Sequence, residues 1–442
     1  MASTANSLLG RDLAALIGSD SVCEESAPLT AFAIDGVKPG VWATPGSVEE
    51  VAAILQLANE RKFTVTVAGG FSHQSMGNVP TNVDVLLRTD RLNRVLHFDP
   101  GDLTIGVEAG CKVAEVQKKV ATDSLLLPLD ISKAQQGTIG GALATATAGP
   151  LKHGFGGARE YCIGVSFVTG DGRIAKAGGR VVKNVAGYDL MKLMIGSQGT
   201  LGVITSANFK LFPAPKQTRT FLAEFESVEA ALEYRDFVLR SALNPMCLEL
   251  ISSRAHAYLD GFDNERWAIV VKGAGSDAVL SRFRRELGAE ISKELAGSDE
   301  EQLWLGIQEF SETVQKRHQN AMSMTLHVAS SGLSNVLCDA EQSAIEQNML
   351  FACVGRAGVA SMAAAFVPLS VDPPSVMQYA NAVGELRRRM PRDSTAIVTR
   401  CPREAKAYFS VWGGPSGDVE AMRAVKRALD PKGILNRGRF LF

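Results

Sequence analysis

The chain has 442 residues, 46% of them hydrophobic, with 46 Lys and Arg against 47 Asp and Glu. That length exceeds one ordinary core and calls for two or three domains. A net charge of -1 gives no reason to expect a polyanionic partner and disfavours nucleic-acid binding.

The seven cysteines (Cys23, Cys111, Cys162, Cys247, Cys338, Cys353 and Cys401) show no CxxC spacing and no nearby histidine pairs. They read as reduced thiols of a cytoplasmic protein. A zinc or iron–sulfur centre needs several converging ligands, so no metal site is expected on this chain.

In chain order, residues 1–37 form an N-terminal extension. Its start, MASTANSLLGRDLAALIG, reads as a short amphipathic helix, because it lacks a basic n-region and Asp12 breaks its apolar part. In TPGSVEEVAAILQLANERK, Ser47 and Glu50 have capping-box spacing and Val51, Ile54, Leu55 and Ala58 share one face, which predicts a helix. A strand, FTVTVAGG, follows, then the loop FSHQSMGNVPTN and a second strand, VDVLLRT. NRVLHF and LTIGVEAG flank the turn chemistry of DPGD, VAEVQKKVA has a helical period, and YCIGVSFVTGDGRIAKAGG reads as a hairpin turning at Gly170–Gly172. Tyr188 to Ile195 reads as a packed helix between glycines.

FPAPKQ, at 212–217, carries two prolines and marks a domain boundary. Beyond it, helical stretches such as SVEAALEYRDFVLRSA alternate with strand-like RWAIVVKG and SMTLHVA, a second α+β domain to about residue 400. The tail holds a helix stopped at Asp430-Pro431. The fold class is therefore α+β, not a regular βαβ series. No run of 18 apolar residues occurs, so no membrane span is expected.

Four glycine-bearing segments stand out: AGGFSHQSMG (68–77), QQGTIGGALATATAGP (135–150), HGFGGARE (153–160) and GSQGTLGVIT (196–205). A glycine loop after a strand can aim backbone N–H groups at an anion while the missing Cβ admits the ligand. The same glycines also serve hairpins and caps, and either use suits any one segment. Together they suggest an extended ligand in a glycine-lined channel. Neither GxxxxGK[ST] nor a strand-linked GxGxxG with a downstream acid is present, so neither a P-loop nor a Rossmann-bound NAD is implied.

The ordered series PGSVEEV, AGGFSHQSMG, DLTIGVEAG, LPLD, GTIGGALA, GPLKHGFGGARE, VVKNVAGYDLMKLMIGSQGTLGVIT, VWGGP and ALDPKGILNRGRF resembles the FAD-binding E subunits of glycolate oxidases. These belong to the vanillyl-alcohol-oxidase superfamily, whose FAD domain is of the PCMH type. The resemblance runs from about 38 to 215 and resumes at about 405. It implies a PCMH-type FAD domain of two α+β subdomains over 38–215, an α+β cap or substrate domain over 216–400, and a C-terminal segment, 401–442, returning to the FAD domain.

The resemblance also implies a cofactor site. Gly69, Gly70, Phe71, Ser72, His73 and Gln74 would bind the FAD pyrophosphate. Thr138, Gly140 and Gly141 would lie along flavin and diphosphate, Pro128 and Gly149 would line the same channel, Gly202, Val203 and Ile204 would meet the adenosine half, and Asn436 would bring the tail back. Two departures stand out: Arg437 occupies the proline position of the family's LNPGR, and GFSHQ replaces GGT-like residues. Phe71 and Ser72 separate His73 from the glycine pair, so non-covalent FAD is expected.

Oxidation of a 2-hydroxy acid needs a base for the hydroxyl proton, cations for the carboxylate and the flavin as hydride acceptor. Arg400, Arg437 and Lys183 are candidate cations; no catalytic base is evident. His153 reads as a surface or loop residue, His327 as a strand residue, and Tyr188 and Asp189 as a helix start. The HxGDGNxH-like motif of related catalytic subunits is missing. The resemblance thus implies an FAD-dependent subunit of a glycolate (2-hydroxy acid) oxidase complex, with a sister flavoprotein subunit and an iron–sulfur subunit as partners. It is cytoplasmic in this reading, with any membrane association made through partners. A non-catalytic FAD-holding or assembly subunit, and a free-standing FAD-linked oxidase, are the alternatives.

Overall fold

The computed structural model describes residues 2–180, 189–262, 265–370, 372–414 and 417–441. The chain divides into two compact units, one formed by residues 1–147, 157–214 and 414–442, the other by 148–156 and 215–413. The break at Ala214/Pro215 falls inside FPAPKQ. Two stretches differ from the boundaries read from the sequence. Residues 148–156 join the second unit, because Arg356 donates to the Ala148 carbonyl at 2.8 Å and Gly154 lies against the Met246 backbone. Residues 401–413 also join it, because Val398 N donates to Val411 O and Arg387 donates to the carbonyls of Ser410 and Val411. The 1–37 extension is part of the first unit.

In the first unit, β1 (Val22–Cys23), β2 (Val41–Ala43), β3 (Val65–Ala68) and β4 (Val85–Arg88) form a sheet in the order β1-β2-β4-β3. β1 and β2 are antiparallel, while β2 and β3 both run parallel to β4. The helix Val48–Arg61 starts where expected: Ser47 accepts from Glu50 N at 3.1 Å, and the Glu50 carboxylate accepts from Gly46 N, one residue before the cap. Its predicted face, Val51, Ile54, Leu55 and Ala58, is fully buried with β2, β3 and β4 side chains.

A second, antiparallel sheet has the order β5-β6-β10-β8-β9, from β5 (Val95–Asp99), β6 (Thr104–Glu108), β8 (Cys162–Val168), β9 (Ile174–Gly178) and β10 (Val203–Lys210). A small ladder joins β7 (Leu125–Leu126) to β11 (Phe212–Pro213). The Asp-Pro-Gly turn closes β5–β6, with Asp99 accepting from Asp102 N at 3.0 Å. The β8–β9 hairpin turns at Gly172, whose φ is 82°; a Cβ there would meet Ala52 O at 2.9 Å, so the turn packs on the Val48–Arg61 helix. Of the expected Tyr188–Ile195 helix, Tyr188 lies outside the described residues and one turn, Met191–Met194, is helical.

The tail helix Val419–Leu429 stops at Asp430. The Asp430 carboxylate accepts from Ile434 N at 3.0 Å and Leu435 N at 2.9 Å and pairs with Lys426. That knot turns the chain so that Leu435 lies parallel to Val65 of β3.

The second unit carries one antiparallel sheet in the order β15-β12-β14-β13-β17-β18-β16-β19. Its strands are β12 (Thr218–Phe225), β13 (Cys247–Ile251), β14 (Trp267–Ala274), β15 (Ile291–Leu295), β16 (Met322–His327), β17 (Met349–Arg356), β18 (Ser361–Pro368) and β19 (Thr395–Arg400). Helices Val228–Arg240, Asp277–Leu287, Leu333–Glu346 and Val376–Arg389 supply one core, and Ser298–Gln308 with Phe310–Arg317 supplies a second. Among the described residues, no helix is long and apolar enough to cross a membrane.

Candidate functional site

The first unit holds an open cleft. Of the residues the sequence pointed to, Gly69, Gly70, Phe71, Ser72, His73, Gln74, Thr138, Gly140, Gly141, Gly202, Ile204 and Asn436 all line it.

One wall is the turn after β3. Gly69 and Gly70 run into Phe71, whose φ of 56° is in the left-handed region, uncommon for a bulky residue. The ring of Phe71 is held 4.6 Å from that of Phe32, which is 5.1 Å from Trp42. Ser72 Oγ and His73 Nδ1 are 2.9 Å apart, and Gln74 donates to Val67 O at 3.2 Å, closing the loop on its own strand. Among the described residues, the N–H groups of Gly69, Gly70, Phe71 and Ser72 donate to no protein acceptor. A run of donors around a left-handed residue is the kind of turn that can receive an anion.

A second wall is the start of the Ile139–Thr145 helix, which packs directly on the β3 turn. Thr138 caps it by accepting from Gly141 N at 3.3 Å. Ile139 N donates to Cys111 O at 2.9 Å and Gly140 N to Ala109 O at 2.7 Å, so the first-turn donors are engaged within the protein. This wall contributes shape, and the donors come from the β3 turn.

Asn436 closes the far end. Its Oδ1 accepts from Val67 N at 2.9 Å and its Nδ2 donates to Gln198 O at 2.6 Å, bridging β3 to the turn before β10. Gln198 (φ 55°) and Gly199 (φ 66°) make that turn.

Pro128, Gly149 and Val203 do not line the cleft. Pro128 is buried and its carbonyl accepts from Tyr161 at 3.1 Å. Gly149 belongs to the second unit. Val203 is the strand neighbour of Ile204, so it faces the other way, into the core with Ala43 and Val51.

The candidate cations sort differently. Arg437 is exposed, and Thr81 N donates to its carbonyl. It is Arg439, two residues on and just after the positive-φ Asn436 and Gly438, that lines the cleft. Gly199, from the glycine turn before β10, lines the cleft as well, and Gln198, Thr89 and Met76 do so without having been singled out as site residues. The signal for Arg439 was the GRF after Asn436, an arginine beside a glycine in a tail already expected at the cofactor. Lys183 lies outside the described residues.

Arg400, in the second unit, is 3.3 Å from Glu312. In the same unit Arg356, Ser361 and His327 are register partners on β17, β18 and β16. Arg356 donates to Ser361 O, Ser361 Oγ and Ala148 O. Burial pushes the His327 imidazole down to about 4, and the charges of Lys152 and Arg356 add to the effect. His153 is half-buried rather than on the surface: its ring would lie 2.4 Å from a Cβ at Gly358, and burial lowers its pKa from the ordinary value. Among the described residues, no group of three or more His, Cys, Asp or Glu is placed to hold a metal ion.

Residues 39–178 match the family described as FAD binding domain, and residues 214–389 and 412–440 match the C-terminal domain of FAD linked oxidases. The chain is 24% identical to glycolate oxidase subunit GlcD of Bacillus subtilis (strain 168), over 91% of this chain and 88% of that protein. It is 29% identical to glycolate oxidase subunit GlcE of Escherichia coli (strain K12), over 57% of this chain and 67% of that protein. The likeness to the D subunit therefore spans more of the chain than the likeness to the E subunit, and the E-type assignment does not stand out. In structure the chain resembles p-cresol methylhydroxylase with substrate bound, at a TM-score of 0.75 and 17% identity, covering 97% of this chain and 95% of that one. A glycine-lined cleft, a turn of unpaired backbone donors and the two domain matches converge: the chain belongs to the FAD-linked oxidases, an FAD-linked oxidoreductase with a PCMH-type FAD-binding domain.

Proposed function

We propose that the chain oxidises a small 2-hydroxy acid of the glycolate type as one subunit of a glycolate oxidase-like complex, delivering electrons to an iron–sulfur partner alongside a sister flavoprotein subunit. The observation that carries the cofactor half is the β3 turn, where the Gly69–Ser72 N–H groups would receive the FAD diphosphate while Gly141 and Ile204 border the rest of the ligand. The substrate half rests on the likeness to glycolate oxidase subunits. FAD supplies the hydride acceptor when bound.

The remaining requirements are a base and cations for the substrate. In the second unit, a neutral imidazole at His327 stands beside Arg356 and within the influence of Lys152, the group types that a hydroxyl proton and a carboxylate call for. An incoming carboxylate would raise the imidazole's basicity by offsetting the two cations. The missing HxGDGNxH-like motif favours a second reading, in which the chain holds FAD while a sister subunit oxidises the substrate.

The test is an anaerobic mixing experiment. The purified chain is loaded with FAD and mixed with glycolate or D-lactate while the flavin band is followed. Bleaching by the chain alone supports direct oxidation. A flavin that stays oxidised until sister and iron–sulfur subunits are added refutes direct oxidation and supports the holding role. Failure to bind FAD refutes both.

A further inference from the structure

Arg439 is a buried arginine at the cleft, 5% exposed. Its Nη1 donates to Asn78 O at 2.9 Å and pairs with Asp35 at 3.2 Å; its Nη2 donates to Gln74 O at 2.6 Å and to Met76 O. One planar group therefore holds three alternate carbonyls of a single loop. In a trans peptide the C=O and the next N–H point in opposite directions, so fixing those carbonyls also fixes the N–H groups of Ser75, Gly77 and Val79, the stretch into which the Gly69–Ser72 turn leads. A lysine has the charge but not the planar fork needed for this arrangement.

The rest of the tail zips to the same loop. Asn78 N donates to Arg439 O and Thr81 N to Arg437 O. Gly77 (φ 102°) and Gly438 (φ 84°) allow the approach: a Cβ at Gly77 would lie 2.8 Å from Arg439 O, and one at Gly438 would lie 2.7 Å from Thr81 Oγ1. The N-terminal segment grips from the other side, with Phe32 on Phe71 and Asp35 on Arg439. Asp35 and Arg439 are both nine-tenths buried or more, so each neutralises a charge that would otherwise be costly in the interior. Asp35 also precedes residue 39, where the match to the FAD-binding domain begins.

We infer that Arg439 is a positioning residue of the cofactor loop: paired with Asp35, it holds residues 74–78, and through them the Gly69–Ser72 turn, in the form that receives the FAD diphosphate. Cofactor affinity then depends on Asp35 and Arg439, residues far apart in the sequence that act through the 74–78 loop. The inference rests on FAD occupying this cleft.

Two variants test it, Arg439→Lys and Asp35→Asn, with two readouts on the apo-protein and no dependence on turnover. Hydrogen–deuterium exchange reports the loop, residues 69–79, against β4 as internal reference. Fluorescence titration gives the FAD dissociation constant. The expected results are faster exchange in 69–79 with β4 unchanged in both variants, and weaker FAD binding, ~30-fold for Arg439→Lys and about 5-fold for Asp35→Asn, as expected for lost charge-assisted hydrogen bonds. A purely electrostatic role makes the opposite prediction: Arg439→Lys binds FAD like the parent, and Asp35→Asn binds it more tightly. Either of those results, or unchanged exchange in the loop, overturns the inference. If Arg439→Lys does not fold, Asp35→Asn decides on the same readouts, since Asn suits the positive φ of residue 35 as well as Asp does. A Gly141→Val control separates this inference from the placement of FAD: parent-like FAD binding in that control removes the cofactor from the cleft, whatever Arg439 does to the loop.

Discussion

Gly141 is the position where cofactor binding can be perturbed with least effect on the fold. A Cβ built there meets only Thr138 Oγ1, at 3.2 Å, and the residue lines the cleft. In Gly141→Val the two γ-carbons enter the space left for the ligand. The helix itself is helped slightly, since glycine is about 0.4 kcal/mol worse than valine in a helix interior, and a shift of Thr138 by a few tenths of an ångström uses up much of that gain. The apo-protein should unfold within ~2 °C of the parent. The bound state is overpacked, at a cost of ~1–3 kcal/mol, which raises the FAD dissociation constant roughly 5- to 150-fold.

Titration of stripped protein with FAD, followed by flavin fluorescence, measures the affinity, and thermal unfolding of the same apo samples measures the fold. An affinity within twofold of the parent at an unchanged apo midpoint would refute the placement of the Ile139–Thr145 helix at the cofactor. Two neighbouring glycines show why the choice matters. A Cβ at Gly202 would lie 2.9 Å from Val168 O and 3.0 Å from Phe167, and one at Gly70 would lie 1.6 Å from Gln136 O. Gly202→Val and Gly70→Ala should therefore lower the apo midpoint as well as the FAD content.

Three further outcomes are expected. His327→Gln should flatten the acid side of the stability curve: the folded imidazole titrates at about 4 against ~6.5 unfolded, so the unfolded chain binds more protons between those values. The stabilising contribution is complete above ~6.5 and is lost as pH falls towards 4, on the order of 2 kcal/mol after allowance for partial exposure; urea melts from pH 7 to 4.5 with an unchanged slope in the variant would refute this. Asp430→Asn removes the charge facing Lys426, which keeps the carbonyls of Thr200 and Leu435 as partners, so the loss should sit near ~2–3 kcal/mol, below that of a fully stranded charge, with FAD released at lower temperature in the same melts. Arg400→Ala, which breaks the pair with Glu312, should cost about 1 kcal/mol of stability and leave the substrate KM unchanged; a KM raised tenfold would return Arg400 to the substrate.

What the sequence disclosed follows the range of the interactions. The Ser47 cap, the buried face of its helix, the Asp99–Asp102 turn and the Gly172 hairpin are set within a few residues, and each is read directly from the chain. The parallel pairing of β3 with β4, and of Val65 with Leu435 some 370 residues later, has no local signature. The candidate site shows the same limit. The loops came from an ordered series of motifs, but strand alternation decides that Ile204 and not Val203 faces the cleft. The choice between Arg437 and Arg439 depends on two positive-φ residues whose effect appears only once the tail is folded against the 74–81 loop. Gly149 fits the motif series yet lies in the other unit, because the Arg356 guanidinium takes the neighbouring Ala148 carbonyl.

The glycines that suggest a channel in the sequence mostly serve the protein's own packing. A Cβ at Gly69 would lie 2.1 Å from Thr138 Oγ1, at Gly70 1.6 Å from Gln136 O, at Gly140 2.9 Å from Ala109 Cβ, and at Gly199 2.6 Å from Asn436 Nδ2. In each case the atom that needs the room belongs to the protein. These glycines let distant parts of the chain pack directly against the backbone, and the cleft is the space such segments leave between them. Among the cleft-lining glycines Gly141, with one contact and an open side, is the exception. Substitution at most of these positions therefore damages the wall before it obstructs the cofactor, so loss of flavin alone identifies no contact residue. FAD binding and folding of the first unit are linked through the same contacts: cofactor at ~100 times its dissociation constant should raise the unfolding free energy by about 2.7 kcal/mol. A wall variant such as Gly70→Ala should show that increment shrinking together with its apo stability, whereas Gly141→Val should lose the increment alone.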